Sequence, residues 1–190
     1  MAINKHKSIL SITEGFTLIE LVVVIAIVSI LAIFALSRYA DLREEAELSS
    51  AEYIAASFKT GAETVKLVFR TAGHNFRVQN LAGYGDGTID TNSIGYPIGI
   101  DKGNGTENIG RGNQGCVGVW NGVLDAPPTV ATTTGADYQS YRHTGSKVCS
   151  YVYRVSGDTG DRNTARLVIR YDSRDGTVDV CGRRPDTPNC

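Results

Sequence analysis

Gly15-Phe16-Thr17-Leu18-Ile19-Glu20-Leu21-Val22-Val23-Val24-Ile25-Ala26-Ile27-Val28-Ser29-Ile30-Leu31-Ala32-Ile33-Phe34-Ala35-Leu36 is a membrane-length apolar run with one carboxylate near its start. At a helical rise of about 1.5 Å per residue it spans roughly the 30 Å hydrocarbon core of a bilayer. A lone carboxylate near the bilayer centre costs on the order of 3 kcal/mol, less toward the interface, so Glu20 needs a named partner. Cleavage after Gly15 supplies one. The new α-ammonium of Phe16 then lies one helical turn from Glu20, or opposite the Glu20 of a neighbouring subunit. An ordinary secretory signal fits poorly, because its cleavage site follows the apolar stretch and is marked by small residues. A plain membrane anchor leaves the acid unexplained. Lys5, His6 and Lys7 precede the run, so the positive-inside bias places residues 1–15 in the cytoplasm and the remainder outside.

The order Gly-Phe-Thr-Leu-Ile-Glu at residues 15–20, with the acid fifth after the cleavable bond, resembles the type IV prepilin signal. The resemblance implies a precursor cut between Gly15 and Phe16 by a membrane-embedded prepilin peptidase. It implies methylation of the Phe16 amine and assembly through Glu20 into a helical filament. The implied partners are that peptidase, the inner-membrane pilus assembly machinery, the membrane and other copies of the chain, with no cofactor. The precursor is then a single-pass inner-membrane protein with its head in the periplasm, and the product an extracellular pilus. Two departures stand out. Many pilins carry a glycine and a proline where Ser29 and Ser37 stand here, and serine costs a helix far less than proline, which removes the usual cause of local melting. Glu14, rather than a basic residue, sits beside Gly15.

Of 190 residues, those left after a leader and one long helix make a single small head of about 120 residues. The net charge of −1 excludes a globally basic nucleic-acid binder. The charge is uneven: residues 74–140 carry three Lys/Arg against six Asp/Glu, and residues 141–190 carry nine against six. Four cysteines, Cys116, Cys149, Cys181 and Cys190, all follow the apolar run, which suits an oxidising compartment and two disulfides with three connectivities. No Cys-x-x-Cys pair or matching histidine spacing supports zinc.

Tyr39, Leu42, Ala46, Ile54, Phe58, Ala62, Val65 and Phe69 recur at helical spacing between charged residues, so the helix continues as an amphipathic half with one face for a sheet. Gly73 is its expected stop. The division is a leader over 1–15, a long helix over 16–72 with its membrane half at 16–36, and a head over 73–190. The glycine-rich stretch 73–115 reads as an extended loop region. Asp86-Gly87 reads as a turn into a short strand, since a calcium loop aligned on it would place Ala82 and Tyr84 at ligand positions. Cys116, Val119, Trp120, Val123 and Leu124 predict a helix ended by Ala126-Pro127-Pro128. Strands are expected over 148–155, 166–171 and 178–181, the last two joined by an Arg174-Asp-Gly-Thr177 turn. The fold class is α+β, an antiparallel meander packed on the long helix.

Tyr96-Pro-Ile-Gly99, the Cys116 helix with Trp120, and the Cys149-Ser-Tyr-Val-Tyr153 strand resemble the mannose-sensitive haemagglutinin class of type IVa pilins. That resemblance implies the pairs Cys116–Cys149 and Cys181–Cys190, and a role in adhesion. No Gly-x-Ser-x-Gly elbow, His-Glu-x-x-His or dinucleotide fingerprint is present, and no catalytic residue is assigned. His74 and His143 read as solvated loop residues, and Glu44 and Glu45 as a solvated helix face. The expected function is a structural filament subunit, with a minor pilin or type II secretion pseudopilin as the alternative. A third reading, a tethered adhesion or DNA-capture module, requires Arg166, Arg170, Arg174, Arg183 and Arg184 to line one surface.

Overall fold

The computed structural model describes residues 15–103 and 105–190, with the side chain of Ser37 left aside. Most of the leader, including Lys5, His6, Lys7 and Glu14, lies outside the described residues. The chain forms two compact units, residues 1–45 and 46–190, and the helix α1 (Leu18–Thr71) contributes to both.

In the first unit the described chain is helix from Leu18 onward, and its Leu, Ile, Val and Phe side chains are exposed throughout. A helix stretch apolar on every side and exposed among the described residues is suited to burial in lipid or against other copies. Tyr39 and Leu42, expected to begin the sheet-facing stripe, are exposed here as well.

In the second unit α1 buries Ala51, Ile54, Ala55, Phe58, Ala62, Val65 and Phe69 on one face. The stripe therefore starts at Ala51 rather than Tyr39, and small alanines carry part of it. The helix ends in a Schellman motif: Gly73 takes φ 77°, its N–H donates to the Arg70 carbonyl at 3.0 Å, and the His74 N–H donates to the Phe69 carbonyl at 3.2 Å. The stretch read as loop holds a two-stranded antiparallel hairpin, β1 (Ile89–Thr91) and β2 (Pro97–Ile100). Asp86-Gly87 leads into β1 as expected, whereas the glycines, which break any period, hid its partner β2, although Ile98 is buried. Asp86 closes the turn before β1, its Oδ1 accepting from the Thr88 N–H at 3.0 Å and hydroxyl at 2.7 Å.

The second helix, α2 (Gly112–Val123), begins four residues before the expected start at Cys116. Gly112, Asn113, Gln114 and Gly115 carry no apolar signal, and Gly115 is required because a Cβ there would sit 2.2 Å from the Gly110 carbonyl oxygen. The main sheet has five strands in the order β3 (Val130–Ala131), β4 (Tyr138–Arg142), β5 (Val148–Tyr153), β6 (Val168–Asp172) and β7 (Val178–Cys181). Neighbours from β4 to β7 are antiparallel, and β3 pairs parallel with β4. The three strands read from the sequence are thus the last three of five. One face of the sheet packs on α1 and α2 through Tyr138, Tyr151, Ile169 and Tyr171. Phe58 of α1 stands 5.9 Å from the Trp120 ring and 5.1 Å from that of Tyr171, so one aromatic cluster joins both helices to the sheet. Burying such a ring contributes about 3 kcal/mol. The opposite face carries a smaller cluster of Val152, Ala165, Val168 and Cys181.

Candidate assembly site

Thr17 and Glu20 start α1 as a capping box. The Glu20 Oε2 accepts from the Thr17 backbone N–H at 2.9 Å and from the Thr17 hydroxyl at 2.8 Å, and the Glu20 N–H donates to Thr17 Oγ1 at 3.3 Å. A helix N-terminus leaves N–H groups without intrahelical partners, and Ser/Thr with Glu three residues later satisfies two of them reciprocally. The sequence signal, Thr-x-x-Glu, lies inside the motif at residues 15–20, where the adjoining apolar run masks it. The clasp turns the carboxylate back toward Phe16, and the exposed Phe16 side chain projects at the same end. Further along, the Ser29 hydroxyl donates to the Ile25 carbonyl at 2.6 Å. This back-bond occupies a backbone acceptor inside the apolar run and favours a gentle bend over a break.

The head is locked by two covalent ties. Cys116 on α2 is joined to Cys149 on β5 across a Cα separation of 5.6 Å, and Cys181 at the end of β7 is joined to Cys190 across 5.2 Å. Next to the first tie, the Tyr151 hydroxyl donates to the Cys116 carbonyl at 2.9 Å and Trp120 Nε1 donates to the Pro128 carbonyl at 3.0 Å. Burial holds the Tyr151 and Tyr171 hydroxyls well above the ordinary phenol range, so both remain donors.

The five arginines of the cationic-surface reading do not stand free together. Arg174 is clasped to Asp172 at 2.5–3.1 Å, and Arg184 is buried and paired with Asp186 at 3.1 Å. Arg183 donates through Nε to the Asn163 carbonyl, and Arg170 through Nη1 to the Cys190 carbonyl. Nor is His143 a solvated loop residue: it is half-buried, and its Nε2 lies 2.7 Å from the Ser150 hydroxyl. His74 stacks between Phe69 and Phe76 at the end of α1. Among the described residues no three His, Cys, Asp or Glu side chains converge as a metal site.

Residues 11–36 match the family described as the prokaryotic N-terminal methylation motif. Over 148 residues, 68% of this chain and 94% of the relative, the sequence is 31% identical to the type IV major fimbrial protein FimA of Dichelobacter nodosus. The chain belongs to the type IV fimbrial proteins. Two more fimbrial proteins, EcpB of Eikenella corrodens and one from Moraxella nonliquefaciens, are 46% identical over 52 residues and 49% over 51. Each of those matches covers 27% of this chain and 33% of the relative. No solved structure gives a significant match. A fimbrial protein is a structural subunit and not an enzyme, and the long helix with its α+β head is the architecture expected of a pilin.

Proposed function

We propose that this fimbrial protein is made as a precursor, cut by prepilin peptidase between Gly15 and Phe16, methylated on the Phe16 amine, and polymerised with other copies through its apolar helix. The observation that carries the reading is the Thr17–Glu20 clasp at the head of α1, whose apolar first half is exposed. The helix is long and apolar enough to cross a membrane, which supports a single-pass inner-membrane precursor with a periplasmic head and delivery by the inner-membrane assembly machinery to an extracellular pilus. On this reading residues 1–15 are the leader, 16–72 the helix and 73–190 the head. In the filament the Phe16 ammonium of one subunit meets Glu20 of its own chain or of a neighbour, and this contact selects the register of packing. The proposed role of the fibre is adhesion, in line with the likeness to mannose-sensitive haemagglutinin-class pilins.

Intact-mass and N-terminal peptide analysis of protein sheared from cells tests processing. The expected species begins at a methylated Phe16, and a sheared protein retaining residues 1–15 overturns the reading. In a strain lacking the gene, a class of surface filaments should be absent. Persistence of filaments together with loss of secretion of folded periplasmic proteins would instead identify a pseudopilin.

A further inference from the structure

On the face of the sheet turned away from α1, two segments lie over the strands: the link from β5 to β6, residues 154–167, and the tail closed by Cys181–Cys190. Both are held there by long guanidinium-to-carbonyl bonds. Arg162 Nη1 reaches the Arg142 carbonyl at 3.4 Å, Arg183 Nε the Asn163 carbonyl at 3.3 Å, and Arg170 Nη1 the Cys190 carbonyl at 3.2 Å. The Arg183 N–H also ties the tail to the link through the Ala165 carbonyl at 3.0 Å. His143 sits among these groups. Its backbone is fixed by the β4–β5 turn, where its N–H donates to the Val148 carbonyl at 2.9 Å, and its ring bonds to Ser150 of β5. The charged groups facing it are Arg162 from the link and Arg170 and Asp172 from β6. Asp172, the counter-charge facing it among the described residues, is engaged by Arg174 through both oxygens.

We propose that His143 is an acid-sensitive latch: its neutral ring lets Arg162 and Arg170 hold the link and the tail on the sheet, and its protonation loosens both. His143 is bonded to Ser150, the register partner of Arg170, and adjoins Arg142, whose carbonyl Arg162 holds, so a third cation there, with Asp172 already committed to Arg174, strains the long bonds of Arg162 and Arg170. Burial, then Arg162 and Arg170, pushes the imidazole down to about 4. The sign follows from linkage. When the link opens, His143 returns toward its ordinary value of about 6.5 and binds a proton more tightly, so closure is fully favoured above that value. Closure weakens as pH falls from there to about 4, below which both states are protonated and the effect levels off. Asp161 and Asp186, held low by hydrogen bonds from Asn163 and Thr164 and from Arg184, stay ionised across most of this window and do not mimic the effect.

Amide exchange on the full-length protein in detergent micelles, at pH 6.5 and 4.5 and corrected for intrinsic rates, tests the latch. The reporters are the Ala165 amide, bonded to the Asp161 carbonyl, and the Gly182 amide, bonded to the Pro188 carbonyl. Protection at both should fall by up to about fortyfold on acidification, the full value for a ring that regains its ordinary affinity in the open state, while the Leu124 amide at the end of α2 is unchanged. In His143→Gln the fall should vanish. An equal fall in His143→Gln, or none in the parent protein, overturns the proposal. Should that variant not fold, Arg162→Gln with NMR titration of the His143 ring decides: a midpoint moving up toward the ordinary value supports the latch, and an unmoved midpoint rejects it.

Discussion

Removing the Cys116–Cys149 bridge by a double change to alanine should destabilise the head more than removing Cys181–Cys190 in the same way. The first bridge spans 33 positions of sequence and the second 9. Closing loops of those sizes removes chain entropy worth about 4 and about 2.5 kcal/mol respectively. Burial widens the gap, because Cys116 and Cys149 are fully buried between α2 and β5 whereas Cys190 is exposed. Lost contacts around two buried sulfurs add about 1 kcal/mol, giving a difference of roughly 2 kcal/mol between the variants. A domain of this size loses roughly 3 to 5 °C of melting temperature per kcal/mol, so the two midpoints should lie about 8 °C apart. The chain has a single tryptophan, Trp120, one turn along α2 from Cys116, so its fluorescence reports this core directly. Thermal melts of the full-length protein in detergent, followed at Trp120, make the comparison. Equal midpoints, or a larger loss on removing Cys181–Cys190, would show that loop size and burial do not set the ranking.

Two further substitutions test contacts at either end of the molecule. Tyr151→Phe removes the second donor to the Cys116 carbonyl, which keeps its helical bond from the Trp120 N–H, and should cost about 1 kcal/mol by chemical denaturation, against a near-zero effect if the hydroxyl is dispensable. Thr17→Val removes the hydroxyl that bonds the Glu20 carboxylate and N–H, and should lower sheared filament yield while membrane content stays the same. Unchanged filament yield from that variant would remove the clasp from the assembly mechanism.

The long helix and the last three strands were legible because their apolar residues repeat at 3.6 and 2. Strand β4 was not, since Tyr138-Gln-Ser-Tyr-Arg142 looks polar throughout. Its Ser140 is nonetheless fully buried, satisfied by carbonyls of Asn113 and Ala131 at 3.1 and 3.3 Å. Hydrogen bonds between distant segments let a hydroxyl take a core position, and no local pattern announces that. The Asp86-Gly87 turn announced β1, but its partner β2 was not legible for a related reason. Tyr96 carries no strand period, but its N–H bonds to the Asn92 side chain and its hydroxyl to Glu63 of α1. At the assembly site the order of Gly15, Phe16 and Glu20 was plain, whereas the reciprocal bonding of Thr17 needed the geometry. His143 was misread because its neighbours in sequence are polar, while its neighbours in space, Ser150, Arg162 and Arg170, come from other parts of the chain.

The Thr17–Glu20 clasp bears on how easily a subunit can be stored and reused. On the proposed function, a carboxylate whose Oε2 already accepts from an N–H and a hydroxyl enters lipid at a lower cost than a bare one, while its charge still calls for a cationic partner. If a neighbour's ammonium meets Glu20 as proposed, it exchanges with bonds that already exist, and the net gain per contact is smaller than a bare charge would yield. On that reading, small gains repeated along a helical array sum to a cohesive fibre whose contacts are individually weak, and a subunit joins or leaves it as a single clasped helix.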